Sequence, residues 1–284
     1  MRYLIKKVDY KNKTFYCEIG NRMTGFYLTN RLSKLFLEYI NDNVYVDFLA
    51  SEKTKKINNK LYYQVLHFNE IYNFKTKVFV YNHMQLKSQM LDFLRSNEYF
   101  LFLDLEMTIP SYRQKEFIPE IVQYGLVLMS QNGKVIFENE GYIKPVRQEP
   151  ISRRTLKFLS IDEEYFYGHA NDYNSFYSML RKIITDYKPK IVVWGKNDFL
   201  ALDHSYKIHK QKRLTERNDF IDLLKLHKDY FNLRDDVGLF KAYETYYQEN
   251  IEQVHNAKDD AMITKHVFDA FLKYIISDVN LKGA

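Results

Sequence analysis

Residues 98–108 read EYFLFLDLEMT, an apolar run from Tyr99 to Leu103 that opens onto Asp104 and Glu106. A short continuous run of this kind predicts a strand buried on both faces, the central strand of an α/β domain. Residues i and i+2 of a strand point to the same side, so the two carboxylates emerge together at its end. Two buried like charges are costly unless a cation or a base neutralises them. A divalent metal ion is the simplest such cation. In the plainer reading the strand has already ended and both groups face water.

Downstream, Ile121 to Met129 and Lys134 to Ile143 flank Asn132-Gly133, a hairpin-turn signal. A helix is predicted near Tyr173 to Tyr187, a buried strand at Ile191 to Trp194, a helix through Ala201 and Tyr206, and a short strand at Phe220 to Leu223. The last helix carries Ala261, Thr264, Phe268, Phe271 and Ile275 on one face. Asp198, in IVVWGKNDF, stands four residues beyond the second buried strand. Ligands of open α/β sheets gather there, although Asn197 or Asp198 can equally cap the following helix. In HNAKDDA, His255 falls on the loop before the last helix and Asp260 in its first turns. A surface histidine ahead of an acidic helix start reads the same way.

Upstream the chain is of another kind. Residues 1–90 hold 15 Lys+Arg against 7 Asp+Glu, a net of +8, whereas residues 91–284 hold 27 against 29, a net of −2. Strands are predicted at Leu4 to Val8, Thr14 to Ile19 and Gly25 to Leu28. A helix with Leu32, Leu35, Phe36, Tyr39 and Ile40 on one face follows, then strands at Val44 to Leu49 and Leu61 to Ile71, with a sixth at Lys77 to Tyr81. The Lys-rich stretch SEKTKKINNK is read as a loop. Three strands, a helix and two strands is the order of an OB-fold, so residues 1–85 are expected to form a small basic OB-like barrel. Residues 86–97 are read as a linker helix and residues 98–284 as the α/β domain. Lys53, Lys55, Lys56 and Lys60 are candidates for phosphate contact, with Tyr16, Tyr27, Tyr45 and Tyr62 as stacking partners. Arg153 and Arg154 are similar candidates in the second domain.

With 46% hydrophobic residues the chain has ample material for packed cores. A lone cysteine, Cys17, excludes an intramolecular disulfide and a four-cysteine zinc site. The absence of a signal-peptide core or a run of ~18 apolar residues predicts a cytoplasmic protein with no membrane partner.

Taken in order, Asp104-x-Glu106-x-Thr108, Asp198, and His255-x4-Asp260 resemble the DnaQ-like exonucleases of the DEDDh subgroup over roughly residues 98–278. PEIVQYGLVLM resembles the family's second strand, and FIDLLKL with GLFKAYETYY its fifth strand and next helix. FLDLEMTIPSYRQKEFIPEIVQYGLV is most similar to the KapD-like and exoribonuclease branch. Gln123 stands where many relatives have a second Glu, and the basic N-terminal domain lies outside the resemblance. The resemblance implies an RNase H-like mixed-sheet domain that hydrolyses the 3′-terminal phosphodiester of single-stranded RNA or DNA with a free 3′ end, using two Mg²⁺ or Mn²⁺ ions. It implies that Asp104 bridges the ions, that Glu106 and Asp260 complete one site, and that Asp198 supports the other. His255 is the implied general base, taking a proton from the attacking water. Met107 and Thr108 are implied to contact the terminal nucleotide, and Phe199 is a further candidate for that pocket. A nucleic-acid-binding protein on an exonuclease scaffold and a DNA proofreading exonuclease are the alternatives.

Overall fold

The computed structural model of the chain describes residues 1–110, 117–147, 149–231, 233, 235–249 and 256–283, with side chains as far as Asp278. The chain divides into two compact units, Met1–Met90 and Leu91–Ala284. No helix among the described residues is long and apolar enough to cross a membrane.

In the first unit, β1 (Tyr3–Asp9), β2 (Thr14–Ile19) and β3 (Arg22–Tyr27) form an antiparallel meander. The turn between β2 and β3 is Gly20-Asn21, both with positive φ, which suits the right-handed twist of a two-residue hairpin. Helix α1 (Asn30–Phe36) follows, capped by the Thr29 hydroxyl, which accepts the Leu32 amide. Then come β4 (Val44–Ile57), β5 (Lys60–Asn73) and the edge strand β6 (Val78–Asn82). Strand β1 pairs with β4, β4 with β5, and β5 with β3 in parallel, so the ladder closes as the circuit β1-β2-β3-β5-β4. Phe15, Phe26 and Phe68 fill the interior with Val44, Val46 and Ile71.

Two expectations for this unit are corrected. The helix stops at Phe36 and tightens into a 3-10 turn at Leu37–Tyr39; Leu32 and Ile40 are buried and Phe36 packs on the core, but Leu35, still inside the helix, and Tyr39, in the tighter turn, face solvent. The Lys-rich stretch is not a loop. Asn58 and Asn59 adopt positive φ and make a tight turn, and the ladder runs through Thr54↔Tyr63, Lys55↔Tyr62 and Ile57↔Lys60. Turn geometry and cross-strand pairing thus override the low strand propensity of lysine and asparagine.

Helix α2 (His83–Arg95) crosses the division between the units, and its later half buries Leu91 and Leu94. The second unit is a mixed sheet. Antiparallel β7 (Tyr99–Met107), β8 (Ile121–Ser130) and β9 (Val135–Ile143) carry β11 (Lys190–Val193) and β12 (Phe220–Asp222), parallel to β7, on one side. The two-residue β10 (Ala170–Asn171) adds to β9 on the other. The helices are α3 (Arg153–Phe158), α4 (Glu163–His169), α5 (Tyr173–Tyr187), α6 (Asn197–Ile208), α7 (Leu223–Phe231), α8 (Leu239–Tyr247) and α9 (Ala257–Gly283). Periodicity gives no signal for the short α3 and α4, capped by Ser152 and Asp162, since one or two turns present too few repeats.

The pleat of β7 divides its side chains. Leu101, Leu103 and Leu105 join a core with Tyr173, Phe176 and Leu180 of α5, while Phe100 and Phe102 pack on Phe268 of α9, with ring centroids 4.8 and 5.4 Å apart. Asp104 and Glu106 continue the second row, on the face that α9 covers.

Candidate active site

Three segments meet at the carboxyl end of β7. On α9, residues 260, 264 and 268 share one face, at i, i+4 and i+8. Phe268 sits on Phe100 and Phe102, so Asp260 lies about 12 Å up the helix. That matches the roughly 13 Å from the phenylalanines to the carboxylates along the strand. Carboxylate oxygens of Asp104, Glu106 and Asp260 accordingly all fall within 4.8 Å of one another. Asn256 caps α9, its side-chain oxygen accepting the amides of Lys258 (2.9 Å) and Asp259 (3.2 Å), which fixes where Asp260 stands.

Asp198 arrives from α6. Strand β11 pairs with β7 only as far as Phe102, leaving the Leu105 amide without a strand partner on that side. The Asp198 Oδ1 accepts that amide at 3.0 Å. Its carboxylate therefore bridges to β7, and α6 has no side-chain cap. The capping alternative for Asp198 is thereby set aside, because a buried amide at the end of a vacated ladder is the stronger claim on it.

Strand β8 supplies the fit. Gly125 stands opposite Asp104, and a Cβ there would collide with the backbone of Ala257 and Lys258. The missing side chain lets the first turn of α9 lie directly on the sheet. Gln123, opposite Glu106 and buried, accepts the Ala257 amide through Oε1 at 3.5 Å.

The electrostatics are those of an uncompensated acidic cluster. Burial pushes Asp104 well above the usual carboxylate range, helped by the charges of Asp198, Asp260 and Glu106. Glu106 is pushed up to about 7 by burial and by Asp260 and Asp198. Asp198 also reaches about 7 through burial, against the opposing hydrogen bond from Leu105. Asp260 reaches about 7 through burial and the neighbouring Asp259. The Asp260 Oδ1 is buried without a hydrogen-bond partner. An all-oxygen donor set with an orphaned oxygen fits a hard divalent cation such as Mg²⁺ or Mn²⁺.

Carboxylates raised from about 4 to about 7 bind more protons folded than unfolded. In chelator, their stabilising contribution is full below pH ~4 and is lost as pH rises through ~7. Thermal melts in EDTA should therefore show Tm falling across that window. Saturating Mg²⁺ or Mn²⁺ should raise Tm at alkaline pH by about 5–10 °C, from ~2.7 kcal/mol at a hundredfold excess over Kd. A melt unmoved by either ion would remove the cation from this site.

The other sequence candidates are placed differently. Thr108 is buried and clasps β8, its amide donating to the Glu120 carbonyl (2.8 Å) and its hydroxyl accepting the Glu120 amide (2.9 Å). Met107 packs on the α5 side of the sheet, away from the acidic row. Phe199 lies against Phe220, with the Arg217 guanidinium 4.9 Å from its centroid. The described contacts of these three residues do not include the carboxylates. His255 lies outside the described residues. Gly125, Asn256 and the buried Glu120, which accepts the amides of Val146 and Arg147 at 2.8 Å each, were missed by sequence reasoning. Only the small residue within the apolar run of β8 was a signal for the first of them.

Residues 101–268 match a family model described as Exonuclease (RNase_T). The probable 3′-5′ exonuclease KapD of Bacillus subtilis is 26% identical over 170 residues, covering 59% of this chain and 82% of that protein. The solved nuclease domain of 3′hExo, a DEDDh family member bound to rAMP, is similar with a TM-score of 0.56 and 15% identity over 62% of this chain and 92% of that one. E. coli Exonuclease I in complex with a 5cy-dT13 oligonucleotide is similar with a TM-score of 0.51 and 15% identity, over 65% of this chain and 42% of that one.

Proposed function

Since this chain belongs to the exonuclease family, as a DnaQ-like 3′-5′ exonuclease of the DEDDh type, we propose that it removes nucleotides from the 3′ end of single-stranded RNA, in preference to DNA, and releases nucleoside 5′-monophosphates. The observation that carries the chemistry is the buried cluster of Asp104, Glu106, Asp198 and Asp260 with its orphaned Asp260 oxygen. Two divalent cations held there, Asp104 shared between them, Glu106 and Asp260 completing one site and Asp198 the other, would offset charge on the attacking and leaving oxygens. The protein's own part is to hold these carboxylates rigidly. The Leu105 amide fixes Asp198, the Asn256 cap and Gly125 fix Asp260, and the pleat of β7 fixes the other two. His255, next to Asn256 in the chain, is proposed to take the proton from the attacking water, a task suited to the ordinary pKa of imidazole. Thr108 and the backbone around Met107 are proposed to contact the terminal nucleotide at the end of β7. Phe199 belongs first to the packing of α6 on β12.

The preference for RNA rests on the similarity of the β7–β8 segment to the KapD-like and exoribonuclease branch, and on the fold shared with the 3′hExo domain seen with rAMP. The fold shared with E. coli Exonuclease I bound to a dT13 oligonucleotide favours DNA as the second reading. The OB-like reading of the first unit is supported by its circuit β1-β2-β3-β5-β4 and by the helix between β3 and β4.

Matched RNA and DNA oligonucleotides carrying either a 3′ or a 5′ label provide the test. With Mg²⁺ or Mn²⁺ the 3′ label should leave first as a mononucleotide, and faster from RNA. Strands left intact with either ion would sink the exonuclease reading, and faster loss from DNA would reverse the substrate preference alone.

A further inference from the structure

The outer face of the barrel over β2, β3 and β5 carries an arrangement that no step of the hydrolysis uses. Tyr16 on β2 stands opposite Gly25 on β3, and a Cβ on Gly25 would lie 2.7 Å from Cδ1 of Tyr62 and 3.1 Å from Cε1 of Tyr16. The glycine is therefore a floor on which the two rings meet, their centroids 5.5 Å apart and their hydroxyls hydrogen-bonded at 2.6 Å. Tyr27, two residues along β3 on the same face, donates its hydroxyl to the Gln64 Oε1 of β5 at 3.1 Å. Over this floor lean the exposed lysines of the β4–β5 hairpin. The Lys55 Nζ is 5.9 Å from the Tyr27 centroid and the Lys60 Nζ 6.0 Å from that of Tyr16.

Resting on the reading of the chain as a nuclease of single strands, we propose that this face is a separate binding site for single-stranded nucleic acid, with bases stacking on Tyr16 and Tyr27 and phosphates neutralised by Lys55 and Lys60. Three features point to that occupant. The half-buried rings of Tyr16 and Tyr27 are locked by their hydroxyl hydrogen bonds, so a stacking platform exists before anything binds. The ammonium groups sit at the outer limit of cation–π reach and belong to none of the barrel's ion pairs among the described residues, so they are readily given up to phosphates. Residues 1–90 carry the whole basic excess, +8, while the unit that holds the carboxylates carries −2 and repels a polyanion away from its cations. An acidic protein would offer charge for the lysines, but not the regular alternation of planar base and phosphate that this spacing of rings and ammonium groups suits. Tyr45, expected to join this group, belongs to another, packed on Phe74.

The test measures fluorescence anisotropy of a labelled single-stranded oligonucleotide with the full chain in EDTA, over a series of salt concentrations. The pair Lys55→Gln and Lys60→Gln should flatten the slope of log K against log salt by about 1.4, since each phosphate contact on a single strand contributes ~0.7. The pair Tyr16→Leu and Tyr27→Leu should lower affinity about 10-fold at every salt concentration and leave the slope unchanged, as loss of stacking requires. Wild-type affinity and slope in the lysine pair overturn the site. A changed slope with no effect of the tyrosine pair overturns the stacking and leaves mere surface adhesion. Hydrolysis of a dinucleotide with Mg²⁺ should be unchanged in both pairs, and thermal melts matching the wild type report that the substituted barrel is folded. If the wild-type chain hydrolyses nothing, the nuclease reading fails while the binding comparison still decides the barrel face.

Discussion

Asp104→Asn should yield a protein that is inactive and, without metal, more stable than the wild type. Asp104 lies at the centre of the acidic cluster, where burial and three neighbouring carboxylates oppose its charge. Removing that charge relieves repulsion within the folded state, so Tm in EDTA should rise at alkaline pH. The same change removes the carboxylate proposed to be shared by both cations. Turnover should fall by ~10³-fold or more, roughly 4 kcal/mol of transition-state stabilisation, and the Tm gain on adding Mg²⁺ should shrink. A variant that merely misfolds would lose activity and melt lower, so the two measurements together separate chemistry from structure. Wild-type turnover in Asp104→Asn would exclude the cluster as the site of hydrolysis.

Gly125→Ala should damage the same site from a distance. The added methyl collides with main-chain atoms of Ala257 and Lys258, which cannot rotate away as a flexible side chain would. The first turn of α9 must then lift from β8, carrying Asp260 with it. Overpacking of this kind costs about 1–3 kcal/mol, and a displacement near 1 Å in a catalytic group lowers turnover by ~10²-fold. Gly168→Ala in α4 is the control, since a Cβ there meets nothing within 4 Å. It should be neutral or stabilising by ~0.4–1 kcal/mol, with full activity. Equal activity of the two variants would show that the close contact of α9 with β8 does not position Asp260.

Part of the site is legible in the residue order alone. The period of two in a strand places Asp104 beside Glu106, and the period of 3.6 places Asp260 in line with Thr264 and Phe268. Asp198 is ambiguous at that level because a carboxylate at a helix start makes a good cap, and only the Leu105 amide, 93 residues away in the chain, resolves it. Thr108 and Met107 look alike as neighbours of the motif, yet the strand pleat and the clasp to Glu120 turn their side chains to other tasks.

In the barrel, local signals mislead at two places for one reason. A lysine-rich stretch has the composition of a loop, but two asparagines at positive φ and a facing strand make it a hairpin arm. The helical position read for Tyr39 depends on the helix continuing, and it stops at Phe36. Such features are set by what the chain meets after folding back on itself.

The sequence by itself determined most of the longer elements, the alternation that pairs two carboxylates, the ordered motif of the family and the division of charge between +8 and −2. Those are consequences of backbone period and residue chemistry, which act locally. Only the tertiary structure decided that Asp198 serves β7 instead of capping α6, that Gly125 admits α9, and that lysines lean over tyrosines on the barrel. Each of these joins residues far apart in the chain, and whether two such groups meet is a property of packing that no local pattern contains.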